Sequence, residues 1–297
     1  MSSGSAPQGE KRAVQYAFMR MNDPERTGDL RLRPLSARSV VLSLLLGTHP
    51  PQLPARELGR LVERFGVGGS TLRAALSRMV AAGDLLRTET GAGYRLSDRL
   101  LDRQTRQDEA VRPSTRAWDG DWEMVVITAT GRGPAERADL RTRLAALRLA
   151  ELREGVWLRP ANLDRPLSVP LDQVAQHYTA RPDRPAADLA GSLWPLDAWA
   201  GTARALLAHI DGADRPADRL AVFAAVVRHL LTDPVLPAAL LPADWPGDAL
   251  RAAYTDYRRE LIGEIRASVG GPGGPGEIRG TSGTSGRTGN SGPGGRR

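Results

Sequence analysis

Residues 69–83, GSTLRAALSRMVAAG, constrain this chain more than any other stretch. Leu72, Ala75, Leu76, Met79 and Val80 recur at i, i+3, i+4, i+7 and i+8, one stripe of an amphipathic helix. At about 100° per residue, the opposite side carries Ser70, Ala74, Ser77, Arg78 and Ala81, with Thr71 and Arg73 on the shoulders. Small residues there allow close approach to another surface, and Ser and Arg supply donors for phosphates and base edges. Taken alone, the stripe fits either an ordinary half-buried helix or a helix that reads DNA. Its flanks decide between them.

Upstream, Ser36–Leu46 (SARSVVLSLLL) reads as a helix with Ser36 as N-cap, Gly47 as stop, and Val40, Val41, Leu44 and Leu45 as its packing face. His49-Pro50-Pro51 breaks the chain. Pro54 then opens PARELGRLVERFG, whose Leu58, Leu61, Val62 and Phe65 form a second stripe. Gly66-Val67-Gly68-Gly69 is a tight turn into the opening stretch, giving the spacing of a helix-turn-helix. Downstream, Gly83 stops the helix. Asp84–Thr90 reads as a strand, Gly91-Ala92-Gly93 as a turn and Tyr94–Ser97 as a second strand, which together make a wing. Residues 31–98 are therefore expected to form a winged helix-turn-helix that binds double-stranded DNA. The candidate contacts are Ser70, Thr71, Arg73, Ala74, Ser77 and Arg78 on the helix, and Arg87 and Arg95 in the wing. Either wing arginine also fits a merely solvated strand position.

Residues 1–30 are polar, mix Gly, Pro and charges, and are expected to be disordered, although Ala13–Arg20 fits one helical turn or a short strand. Residues 99–117 read as a connecting helix or linker. Trp118 opens a central unit, residues 118–190: strand Glu123–Thr128, helix Pro134–Leu147, strand Gly155–Pro160, and a further strand over Pro166–Val169. Strand, helix, strand at this spacing predicts a ferredoxin-like α+β domain. Residues 191–269 are expected to be a helical domain: Leu193–Ile210, Pro216–Leu231, a proline-bounded element over Leu236–Trp245, and Pro246–Val269. The Gly, Ser and Arg tail, residues 270–297, is expected to be disordered. The fold class predicted is thus α+β, in three parts.

Charge is distributed unevenly. Residues 1–112 hold 18 Lys and Arg against 12 Asp and Glu, a net of +6; residues 113–269 hold 19 against 21, a net of −2. A basic reader beside a near-neutral body fits nucleic-acid binding with a separate regulatory part. Because Lys11 is the only lysine, the arginine excess also fits a GC-rich coding sequence. The absence of cysteine excludes disulfides, thiolate metal sites and Cys nucleophiles, and a cytoplasmic location is expected. No apolar run approaches the roughly 18 residues that a membrane span needs, and the start reads as no secretory signal.

The pieces LRPLSARSVVLSLL, VGGSTLRAALSRMVAAGDL with GYRLSD, WDGDW, REGVWLRPANL and LLTDPVLPAALLPADWPGDAL stand in an order that resembles the PaaX family, the repressors of phenylacetate catabolism and their relatives. They span roughly residues 32–268. The resemblance implies a winged helix, a ferredoxin-like middle and a C-terminal helical domain. It further implies a homodimer on a palindromic operator and release by a small acyl-CoA, phenylacetyl-CoA in the founding members. Where the family's wing has a basic Arg-Gly-Arg type of turn, this chain has Thr90-Gly91-Ala92-Gly93.

An aromatic acyl-CoA needs apolar walls and a cation for phosphate, which makes Trp157, Arg159, Trp194 and Trp199 candidates for an effector pocket. Each tryptophan fits core packing as well. The four histidines, His49, His177, His209 and His229, form no pair at metal-binding spacing, and no metal or cofactor is expected. GxSxG, Walker and GxGxxG motifs are lacking, so no enzymatic activity is expected. The alternative is a nucleic-acid-processing enzyme whose central domain uses Asp119 and Asp121 as a carboxylate pair.

Overall fold

The computed structural model describes residues 32, 34–165 and 174–269. The expectations for residues 1–30, for a strand at Pro166–Val169 and for the tail from residue 270 lie outside these.

Helix α1, Ala37–Gly47, starts as expected: the Ser36 hydroxyl accepts from the Ser39 amide at 3.2 Å. A short strand β1, Gln52–Pro54, precedes helix α2, Ala55–Arg64, and helix α3 spans Gly69–Ala81. Strands β2 (Leu85–Arg87) and β3 (Gly93–Leu96) form the wing hairpin. Strand β1, absent from the sequence reading, pairs antiparallel with β3 and makes a three-stranded sheet in the order β1-β3-β2. Gly93 permits this pairing, because a Cβ there would stand 2.6 Å from the Leu53 carbonyl oxygen.

Helix α4, Asp98–Val111, is a packed element, with Leu100, Gln104, Gln107, Ala110 and Val111 buried. The Gln104 amide donates to the carbonyls of Leu46 (3.1 Å) and Thr48 (2.8 Å), satisfying acceptors at the end of α1.

The central unit comprises β4 (Trp122–Ile127), α5 (Pro134–Ala146), β5 (Ala150–Arg153), β6 (Val156–Pro160) and β7 (Ala175–Ala180). Its sheet is antiparallel throughout, in the order β5-β6-β4-β7. A helix joins β4 to β5 across the intervening β6, which is the ferredoxin-like arrangement. Both faces are covered. Val125, Trp157 and Ala175 pack with Leu140 and Leu144 of α5. Trp122 and Leu158 pack on the other face, with Leu189, Ala190, Leu236 and Leu240.

The C-terminal part holds α6 (Ala186–Leu193), α7 (Leu196–Asp211), α8 (Pro216–Leu230), a 3-10 turn (Ala238–Leu240) and α9 (Gly247–Val269). The expected single helix from Leu193 is interrupted. Trp194 is extended (φ −127°, ψ 137°) because the ring of Pro195 disfavours the helical conformation in the residue before it. One apolar cluster runs from α1, α2, α3 and the wing through α4 into α7, α8 and α9.

Candidate nucleic-acid interface

Glycine stops end both α2 and α3, the first turning the chain into α3 and the second into β2. At the end of α2, Gly66 has φ +79°; its amide donates to the Glu63 carbonyl (3.0 Å) and the amide of buried Val67 to that of Val62 (3.0 Å). At the end of α3, Gly83 has φ +69°; its amide bonds the Val80 carbonyl (3.0 Å) and the Asp84 amide that of Met79 (2.9 Å). Both are the left-handed stop that only glycine adopts without strain.

Helix α3 buries Leu72, Ala75, Leu76 and Met79 and packs Val80 against the same core, so its stripe is the predicted one. That fixes the opposite side outward. Ser70, Thr71, Arg73, Ala74, Ser77 and Arg78 are all exposed. The helix carries no acidic residue, and among the described residues neither the Arg73 nor the Arg78 guanidinium makes an ion pair. Gly68, the N-cap, has no side chain to cap the first amides of α3.

The wing arginines are more constrained. Arg87 lies over the Tyr94 ring, 5.4 Å from its centroid. Arg95 stands 3.7 Å from the Asp98 carboxylate and donates to the Leu96 carbonyl at 3.4 Å. Arg87 is exposed on β2, the strand that packs on α3, and Arg95 is half-buried on β3; each already has a partner.

Asp84, which no local pattern singles out, ties α1 to α4 just past the end of α3. It is buried at 3% exposure. Its carboxylate accepts two bonds from Arg38 of α1 (3.1 and 2.8 Å) and one from Arg99 of α4. Burial alone would raise the carboxyl pKa, but the bonds and charges of Arg38 and Arg99 outweigh it and hold the group below its ordinary value. The signal for this role is the position: the first residue past the glycine stop of α3 meets the starts of two other helices.

The four effector candidates are dispersed. Trp157 is core under α5. Trp199 stacks between His229 (4.3 Å) and Trp245 (4.5 Å), and its indole donates to the Thr232 hydroxyl at 3.2 Å. Trp194 is half-buried against the other face of the sheet and lines a shallow surface cleft. Arg159 is fully buried at 0% exposure. It donates to the Pro160 carbonyl (3.0 Å), to Asn162 (2.9 Å) and to the Val235 carbonyl (3.3 Å), 4.0 Å from the Glu123 carboxylate. Burial, together with the charges of Arg165 and Arg148, pulls its guanidinium down to about 9 against the opposing pull of Glu123. Arg159 thus ties the central sheet to the loop after α8.

The carboxylates Asp119 and Asp121 are both engaged by Arg181, which pairs with Asp121 and stands 3.8 Å from Asp119. Among the described residues no group of three His, Asp or Glu is placed to hold a metal ion, and no helix is long and apolar enough to cross a membrane.

Three family models match the chain in order: "PaaX-like protein" over residues 36–100, "PaaX protein central Cas2-like domain" over residues 115–180, and "PaaX-like protein C-terminal domain" over residues 196–267. Among solved structures, the "Uncharacterized protein Rv0674 from Mycobacterium tuberculosis" is similar, with 52% sequence identity and a TM-score of 0.69. That match covers 79% of this chain and 99% of the other. No curated protein matches the chain. With three models of one family in sequence over more than half its length, the chain belongs to the PaaX family.

Proposed function

We propose that this protein is a DNA-binding transcriptional regulator, acting as a ligand-responsive repressor of a catabolic operon of the phenylacetate type. Family membership supports regulation of transcription. The observation that carries the DNA-binding reading is the outward face of α3: small and hydroxyl side chains with two arginines that have no acidic partner among the described residues, on a helix anchored along its other side. In this reading Ser70, Thr71, Arg73, Ala74, Ser77 and Arg78 enter the major groove, while Arg87 and Arg95 approach phosphates from the wing. A homodimer follows from geometry, because one recognition helix covers about half a turn of groove and two-fold operators match two-fold proteins. Residues 31–98 are the reader, 99–117 the joining helix, 118–190 the central domain and 191–269 the C-terminal domain, the first and last sharing an apolar core.

Selection of random duplex DNA by the purified protein, followed by sequencing, tests this. The expected outcome is a two-fold site with half-sites about 10 base pairs, or a multiple of that, apart, bound with an affinity that falls as salt rises. No enriched sequence, or an affinity indifferent to salt, would overturn it.

A further inference from the structure

A cavity of about 170 Å³ lies where α1 and α4 of the N-terminal part meet α8 and α9. Its size suits one ring or a short branched chain, since a cavity of about 150 Å³ accommodates benzene. Phe223 and Tyr257, stacked with their centroids 4.0 Å apart, form one aromatic wall.

The polar lining is unusual in two respects. Gln107 and Tyr257 are each more than nine-tenths buried, yet the Gln107 carbonyl oxygen and the Tyr257 hydroxyl have no hydrogen-bond partner among the described residues. The charge is also one-sided. Four arginines line the cavity and no described Asp or Glu does. Arg38 and Arg258 are compensated from behind, by Asp84 and Asp108, each at 2.8 Å. Arg103 and Arg228 have no acidic partner among the described residues; the Arg228 Nε donates only to the Ala224 carbonyl, at 3.1 Å. Burial first, then the charges of Arg38, Arg228 and Arg106, pull the Arg103 guanidinium below its ordinary value. An anion between Arg103 and Arg228 would relieve that repulsion, and its polar atoms would meet the unpartnered groups.

We propose that this cavity binds a small organic carboxylate bearing one apolar ring or a short chain, and that its occupancy changes DNA affinity. The carboxylate lies between Arg103 and Arg228, and the apolar body rests against Phe223 and Tyr257. Helix α1 lines the cavity on one side and packs on α3 with the other, so a ligand that moves α1 against α8 and α9 also moves the recognition helix. This second clause rests on the DNA-binding reading above, and the first does not.

Calorimetric titration of the full chain with benzoate, cyclohexanecarboxylate and hexanoate, with neutral benzamide as control, tests the site without DNA. At least one carboxylate should bind, and benzamide should bind about tenfold or more weakly. Arg103→Gln with Arg228→Gln should lower carboxylate affinity by about tenfold or more. Tyr257→Phe, which breaks no hydrogen bond among the described residues, should leave the unfolding midpoint of the free protein unchanged and still weaken binding. Absence of binding by all three acids, equal binding of benzamide, or a double variant that binds like the parent overturns the site. A mobility-shift titration of the selected DNA with the best carboxylate then tests coupling. Unchanged DNA affinity in the presence of bound acid overturns the coupling and leaves the site standing, whereas absence of any DNA binding overturns the DNA-binding reading instead.

Discussion

Arg73 and Arg78 on α3 differ from Arg159 in the central sheet in everything but side-chain type. The first two stand at the surface with no acidic partner among the described residues, on a helix anchored by the apolar residues behind them. Arg159 is sealed from solvent, held by Asn162 and two carbonyls, beside a buried glutamate. A free guanidinium on a rigid outward face is available to phosphate and to guanine edges. A buried one is occupied in joining elements 76 residues apart. Arginine content alone therefore says little about DNA binding; what matters is whether the fold has already satisfied each cation.

The largest effect expected from this contrast is at Arg159. Arg159→Ala leaves the buried Glu123 carboxylate with Arg165 alone at 3.6 Å, removes a donor from both Asn162 and the Val235 carbonyl, and empties a fully buried site, so it should cost about 3–5 kcal/mol of stability in urea unfolding. A loss below about 1 kcal/mol would make Arg159 an ordinary surface-like arginine and break the comparison. Next is the pair on α3. Arg73→Ala with Arg78→Ala should cost about 2–4 kcal/mol of DNA affinity, about 1–2 for each arginine, with little change in unfolding.

Asp84→Asn comes third, at about 1–3 kcal/mol of stability, because it weakens charge-assisted bonds to both Arg38 and Arg99. The Asp84 carboxyl has a lowered folded pKa, so its contribution is full above the ordinary value of 3.8 and is lost as pH falls through the folded value. The variant should therefore lose that part of the acid slope, read as unfolding midpoints across a pH series. The smallest effect concerns His229. Burial disfavours its charged form and lowers its folded pKa below 6.5, against the Trp199 carbonyl bond and Asp233, so the unfolded chain takes up the proton first. Stability should decline as pH falls from 6.5 toward the folded value, and His229→Gln should flatten that decline.

The N-terminal helices and hairpin were legible because α2 and α3 have strong apolar stripes ended by glycines at positive φ. Strands β1, β5 and β7 were not. β1 is three residues long and ends in proline, and β7 (AQHYTA) buries only Ala175, so neither shows an alternating apolar pattern. Their pairing depends on partners distant in sequence. The break between α6 and α7 was readable, since Trp194 precedes Pro195, but the continuous apolar run across it favoured one helix. At the site, periodicity located the exposed face of α3, whereas the burial of Arg159 and the ties of Asp84 depend on tertiary contacts that no local pattern encodes.

Whether the exposed face of α3 reads DNA is decided by the affinity of the Arg73→Ala/Arg78→Ala variant for the selected duplex at fixed salt. A loss of about 30-fold or more is expected, with the unfolding midpoint of the wild-type chain retained. Affinity equal to wild type would contradict it and place the DNA contact elsewhere on the molecule.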